Sequence, residues 1–181
     1  MVEGIELVQA AEEHPWGSIV TNDDLTLHTL SDGEGMLGAF LQDQNYDALA
    51  IPGWGFSYSR KALAWCRKNR KPAILMSESK FSDEPRSHWK EWLKGRIVRQ
   101  FSGALVGAQS HEDYLVKLGM PTNRIFRGYD IVDNEYFANG ADAARSDPAA
   151  ARHKSPSIPQ RPYFLSASRF IERKNITTLV R

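Results

Sequence analysis

Cysteine is almost missing from this chain: Cys66 is the only one in 181 residues, which excludes an internal disulfide. No Cys/His group has zinc-ligand spacing, so a structural zinc site has no support. A reducing, cytoplasmic setting fits a lone thiol best. Long apolar runs are also lacking, so no segment is expected to span a bilayer, and Met1 to Gly4 does not look like a signal peptide. Charge of one sign is not in excess; the formal net charge is +1, which gives no global attraction to nucleic acid. No G-x-G-x-x-G follows the first candidate strand, so a nicotinamide-dependent oxidoreductase is disfavoured. The histidines (His14, His28, His88, His111, His153) are scattered, and no G-x-S-x-G nucleophile motif occurs.

What is present is ordinary globular composition, 41% hydrophobic and 25% charged, enough for one sizeable core. Short apolar runs alternate with longer amphipathic stretches, the pattern of an α/β fold with a parallel, Rossmann-like sheet. Strands are expected at Ile5 to Val8, Asp47 to Ile51, Ala73 to Met76, Gly103 to Gly107 and Arg124 to Arg127. Residues 9–35 read as loop with at most one short strand. Helices are expected around Met36 to Leu41, from Ser59 to before Pro72, from about Pro85 to Phe101, and from Ser110 to Gly119. Ser110-His-Glu-Asp113 has the look of a capping arrangement, with Ser110 accepting from backbone N–H groups. Residues 138–161 are rich in Ala, Asp, Arg, Ser and Pro, with almost no large apolar residue, and read as a linker. Tyr163 to Ser166 then starts a new strand and Asn175 to Arg181 a new helix.

In parallel α/β sheets the carboxyl ends of the strands form the binding crevice. Here those ends are Pro52–Tyr58, Ser77–Ser82 and Ala108–Ser110. Gly53-Trp54-Gly55 combines close backbone approach with a ring on which a sugar can stack, though the same residues also make a plain structural turn. Glu78 and Ser79 lie at the next strand end, where they either orient a ligand or cap the strand. Arg169 and Lys174 flank a short loop before a helix start. A forked guanidinium, a mobile ammonium and unpaired helix N–H groups together suit a phosphate, though a solvated basic loop carries the same residues. On the helix around residues 86–101, Trp89, Trp92, Leu93, Ile97 and Phe101 fall on one side and Lys90, Lys94 and Arg99 lie more outward. Such a helix either packs on a sheet or makes peripheral contact with an anionic membrane.

Three segments, in order, carry a family resemblance: Leu105 to Leu115 with Leu118-Gly-Met-Pro121, then Arg124 to Phe137, then Tyr163 to Asn175. The chain resembles the GT-B glycosyltransferases of the large retaining family usually numbered four. The second segment is similar to that family's valine-aspartate-asparagine exit from its N-terminal domain, and the third to its arginine…lysine loop. Ser168 departs from the glycine usual before the arginine.

The resemblance implies an N-terminal acceptor-side domain over 1–137, a linker over 138–161, and the start of a donor-binding domain over 162–181. It implies that the parent enzyme transfers a sugar from a nucleotide diphosphate to an acceptor, with retention and without a metal or cofactor. Arg169 and Lys174 would hold the diphosphate; Gly53, Trp54, Gly55, Ser79 and Ser110 would face the acceptor. Glu78 would stand near the position where the family often has a histidine. No counterpart of the family's first strand precedes Ile5, and the acidic pair of its C-terminal domain is not found, so this polypeptide alone is expected to be inactive. The alternative is a Rossmann-like binding or scaffold domain without chemistry. Donor sugar, acceptor and oligomeric state are not specified by the sequence.

Overall fold

A computed structural model describes residues 5–10, 25–30, 35–154, 159, 161–168 and 170–179. The chain divides into two compact units, Met1–Ile131 and Val132–Arg181. In the first, strands β1 (Ile5–Ala10) and β2 (Leu25–Leu30) pair in parallel as a two-stranded sheet. After α1 (Leu37–Asp43) comes a regular alternation: β3 (Leu49–Pro52), α2 (Ser57–Asn69), β4 (Ala73–Ser77), α3 (His88–Val98), β5 (Gly103–Val106), α4 (Gln109–Lys117) and β6 (Ile125–Arg127). The four strands form one parallel sheet in the order β3-β4-β5-β6. The unit is therefore α/β, with a Rossmann-like parallel sheet, as its alternating apolar and amphipathic segments predict.

Alternation within the strands decides where the core lies. Side chains two apart along a strand share a face. Ala73, Leu75 and Ser77 of β4 are buried, as are Ile51 of β3, Ala104 and Val106 of β5 and Ile125 of β6. Against them pack Ala62, Leu63 and Cys66 of α2, Val98 of α3, and Tyr114 and Leu115 of α4. All three connecting helices thus share a single core on one face. The other face carries Ile74, Met76 and Leu105, which are only half-buried, and Phe126, which is exposed.

The aromatic side around α3 meets the core only at its end, where Phe101 is buried and Ile97 packs on the core. Gly95 and Val98 are the helix's buried positions and Glu91, one turn before Gly95, is largely covered, whereas Trp89, Trp92 and Leu93 are exposed. The reason is steric. A Cβ on Gly95 would lie 2.8 Å from the Leu118 carbonyl oxygen, so only glycine lets α3 come this close to the end of α4. The approach turns the stripe 91, 95, 98 inward and leaves the tryptophans outside.

The start of α4 also corrects an expectation. Its N-cap is Ala108, without a side-chain cap bond, and Ser110 is the second helical residue. The acids of this turn act differently: Glu112 pairs with Arg127 at 3.2 Å, tying α4 to β6, and Asp113 accepts from Gln109 at 2.8 Å.

In the second unit, the segment expected to be a linker is mainly helical. Helices α5 (Asn134–Ser146) and α6 (Pro148–His153) take up its part to His153, and α5 already begins within the expected first domain. Alanine is the best helix former, and both helices have an aspartate N-cap: Asp133 accepts from Tyr136 N at 2.9 Å and Asp147 from Ala150 N at 3.0 Å. Neither helix buries a residue, so the lack of large apolar side chains signals an exposed helix here, not an absence of structure. Residues 163–166, expected as a strand, form none. Among the described residues no strand pairs with this segment, and Phe164 and Leu165 are exposed. A single turn, α7 (Ile176–Leu179), stands where the new helix is expected.

Candidate functional site

The carboxyl edge of the four-stranded sheet gathers most of the expected residues. Beyond β3, Gly53 takes φ +67° and its N–H donates to the Met76 carbonyl at 2.8 Å, so the turn prolongs the β3–β4 ladder before leaving it. A left-handed residue is needed there, which accounts for glycine. Trp54 then folds back, half-buried against the core, with its ring 6.2 Å from that of Tyr114. Only part of its face remains to meet a ligand. Gly55 stays open and its carbonyl accepts from the Arg60 guanidinium at 2.9 Å. The buried Ser59 hydroxyl donates to the Pro52 carbonyl at 2.8 Å, fixing the strand end to α2.

At the end of β4, the Ser79 N–H donates to the Ser77 hydroxyl at 3.3 Å, Ser79 is half-buried, and Glu78 points outward. Past β5 and β6, the N–H groups of Gly128 and Tyr129 both donate to the Val106 carbonyl, at 3.1 and 3.3 Å. Asp130 follows with φ +57°, an uncommon conformation for a non-glycine residue, which marks a tight local turn. Burial first, then the charges of Glu78 and Asp130, push the Tyr129 phenol above its usual value. Glu78 and Tyr129 are thus electrostatic neighbours across the sheet edge. His111, in the first turn of α4, has its Nδ1 buried with no hydrogen-bond partner among the described residues. A Cβ on Gly107 would lie 3.2 Å from the Tyr129 carbonyl oxygen and 3.5 Å from that Nδ1, so glycine keeps this corner tight. Neither Tyr129 nor His111 stands out in the sequence, where the histidines look scattered and the tyrosine sits inside a turn.

Ser110 is exposed and lines a hollow of about 270 Å³ with Lys80, Phe81, Ser82, Asp113 and Lys117. Lys174 lies in the second unit, exposed, at the end of a single 3-10 turn (Glu172–Lys174) closed by Asn175 at φ +46°. Arg169 lies outside the described residues. Among the described residues no three of His, Cys, Asp or Glu come together as a metal site.

A densely bonded polar group lies beside this edge. Tyr114, 1% exposed, donates from its hydroxyl to Glu91 Oε2 at 2.8 Å. Lys94 donates to Glu91 Oε1 at 3.0 Å and touches the Tyr114 oxygen at 3.4 Å, and Arg86 stands 3.6 Å from the same carboxylate. Arg86 also donates from Nε to the Phe81 carbonyl at 2.7 Å and from Nη2 to the Lys80 carbonyl, and it lies over the Tyr114 ring. Burial alone pushes the Glu91 carboxyl up. The hydrogen bonds from Lys94 and Tyr114, with the charges of Lys94 and Arg86, outweigh it and hold the carboxyl below its ordinary value. Burial, and then the Glu91 hydrogen bond and charge, push the Tyr114 phenol well above its own. Near neutral pH Glu91 therefore stays ionised and Tyr114 keeps its proton. The cluster is an anchor that clamps the loop after β4 onto α3 and α4, and it is not poised for proton transfer.

No helix among the described residues is long and apolar enough to cross a membrane. Compared with known protein families the chain matches none, and no curated protein sequence matches it either.

Proposed function

We propose that this chain carries the acceptor-side part of a nucleotide-sugar-dependent, retaining glycosyltransferase. One observation carries the reading: segments far apart in sequence meet at the carboxyl edge of one parallel sheet, the edge where such sheets bind ligands. They are the Gly53–Trp54 turn, the Ser77–Ser79 strand end, the start of α4 and the turn at Tyr129. Glycine turns, half-buried hydroxyls and part of a tryptophan face suit a neutral, hydroxyl-rich acceptor. Glu78, an electrostatic neighbour of Tyr129, would accept from one of the acceptor's hydroxyls. Arg169 and Lys174 would hold the donor diphosphate and stabilise charge on the leaving group. Residues 163–166 before them form no strand, and Phe164 and Leu165 are exposed, so the polypeptide alone is assigned no turnover.

Amide-resolved NMR of the chain with soluble sugars and glycosides tests this. The expected result is a set of shifts at Gly53, Trp54, Ser79 and Ser110, removed by Trp54→Ala. No shifts at these residues with any sugar would refute the acceptor reading and favour a scaffold domain without chemistry. Release of nucleotide diphosphate from a UDP-, GDP- or ADP-sugar by this polypeptide would refute the claim that it is inactive alone.

A second reading, contact with an anionic membrane through α3, is favoured by its exposed side. Trp89 and Trp92 are 64% and 60% exposed, with Lys90 and Arg96 stacked over their rings. Rings of this kind carrying adjacent cations suit the headgroup layer. Co-sedimentation with phosphatidylglycerol vesicles should be lost in Trp89→Ser/Trp92→Ser, and equal sedimentation of the double variant would exclude this contact.

A further inference from the structure

A second hollow, of about 260 Å³, opens between α3, the end of α4 and the loop at Phe81. Its lining includes three permanent cations, Arg86, Arg99 and Lys117, and one carboxylate, Glu91. The charges do not cancel. Glu91 is already bonded by Lys94 and Tyr114 and faced by Arg86, and Arg86 spends its other donors on the Lys80 and Phe81 carbonyls. Arg99 and Lys117 have no carboxylate partner among the described residues.

Both free cations are held in place. Arg99 Nη1 donates to the Leu118 carbonyl at 3.2 Å, and its guanidinium occupies a slot that exists because two glycines lack side chains. A Cβ on Gly119 would lie 2.8 Å from Nη1, and one on Gly95 would lie 3.2 Å from it. Lys117 Nζ stands 3.4 Å from the centre of the Phe81 ring. Phe81 is fixed in turn by the bond its carbonyl accepts from Arg86. A guanidinium fork and an ammonium point charge, pre-positioned beside an apolar wall of Phe81 and Trp92, are the complement of a phosphate ester. Preorganisation lowers the cost of binding, since the side chains are already ordered.

We infer that this hollow is a phosphate-ester site, with Arg99 and Lys117 as its anion-binding groups and Phe81 and Trp92 as the wall for the ester's carbon part. The inference does not rest on glycosyl transfer; it stands on this cavity alone. Its volume suits a small phosphorylated compound or the headgroup of a phospholipid, and the two share the same phosphate chemistry.

Titration calorimetry of the whole chain with glycerol 3-phosphate tests it, with glycerol as the uncharged control. The expected result is saturable binding of the phosphate only, weakened about tenfold or more by Lys117→Ala and by Arg99→Ala. Lys68→Ala, an exposed lysine on α2, should leave it unchanged. Lys117 is exposed, so its variant keeps the fold, and circular dichroism identifies an Arg99 variant that does not. A second arm uses vesicles of phosphatidylglycerol against vesicles of phosphatidylcholine. Loss of phosphatidylglycerol binding in Lys117→Ala assigns the site to a lipid headgroup; retention, with loss of glycerol 3-phosphate binding, assigns it to a soluble ester. No saturable phosphate binding in either arm, or binding that falls equally in Lys68→Ala, would overturn the inference.

Discussion

Replacing Tyr114 by phenylalanine removes one hydroxyl from the anchor beside the sheet edge. The ring stays, still packed at 6.2 Å from Trp54 and under the Arg86 guanidinium, so apolar burial is nearly unchanged. What disappears is the 2.8 Å bond from the hydroxyl to Glu91 Oε2, together with the longer 3.4 Å bond that the hydroxyl accepts from Lys94, which still pairs with Glu91. A hydrogen bond to a charged group contributes about 1.5–3 kcal/mol. The Glu91 side chain keeps 18% of its surface open, so water replaces part of the lost bond. The lower end of the range applies, and we expect a loss of about 1.5–2 kcal/mol.

The bond also has a pH signature. The Glu91 carboxyl is held below its unfolded value, so its stabilisation is fully present above the unfolded value, about 4.3, and is lost as pH falls through the lower folded one. Removing the tyrosine donor moves the folded value up and shrinks that acid-side loss. Urea unfolding of both proteins, at neutral pH and through the acid range, measures the two effects together. A double cycle with Glu91→Gln then separates coupling from general damage. A loss below about 0.5 kcal/mol, or strictly additive changes in the cycle, would show that the hydroxyl is already satisfied by water and that the anchor argument is wrong.

Other outcomes follow from the packing. Leu75→Ala, at a fully buried position in the central strand, should cost about 2–5 kcal/mol in urea unfolding, and Ile74→Ala, on the half-covered face, clearly less. Equal costs would mean that both faces are equally packed. Gly95→Ala should destabilise even though alanine gains about 1 kcal/mol in helix propensity. Its Cβ would press on the Leu118 backbone and displace Arg99, at an overpacking cost of about 1–3 kcal/mol. A rise in the thermal midpoint would refute the close approach. Burial pushes the Cys66 thiol from its ordinary 9.0 up to about 11, so the native protein should react with a thiol reagent far more slowly than the unfolded chain. The same shift contributes stability below 9.0 that is lost as pH rises towards about 11, a loss that Cys66→Ala should abolish in alkaline unfolding.

Much of the first unit is legible in the sequence because each strand of the larger sheet is a short apolar run bounded by Pro, Gly or charged residues. Ala73 to Met76 and Gly103 to Gly107 are examples. The turn at Gly53 is legible for a related reason: a glycine after a strand signals a backbone that only glycine adopts easily. The orientation of α3 is not legible. Its aromatic side is the more apolar one, but the contact that decides the matter is between Gly95 and a carbonyl 23 residues later. The Glu91–Tyr114 bond likewise joins two helices across the core, and no periodicity within either helix announces a partner in the other. In the second unit, low hydrophobicity suggested a linker, yet alanine content and two aspartate caps suffice for helices that bury nothing.

The placement of every connecting helix on one face has a thermodynamic consequence. Parallel sheets are normally sheltered on both sides, whereas here Ile74, Met76, Leu105 and Phe126 form a layer that is still partly open to water. Apolar surface of this kind contributes nothing until it is covered, at about 25 cal/mol for each Å² removed from water. Any surface that covers the layer binds the folded chain and not the unfolded one. Each such partner then shifts the unfolding equilibrium by mass action, and the unfolding midpoint comes to depend on concentration. The half-open face of the sheet is therefore a reserve of stability, released as it is covered.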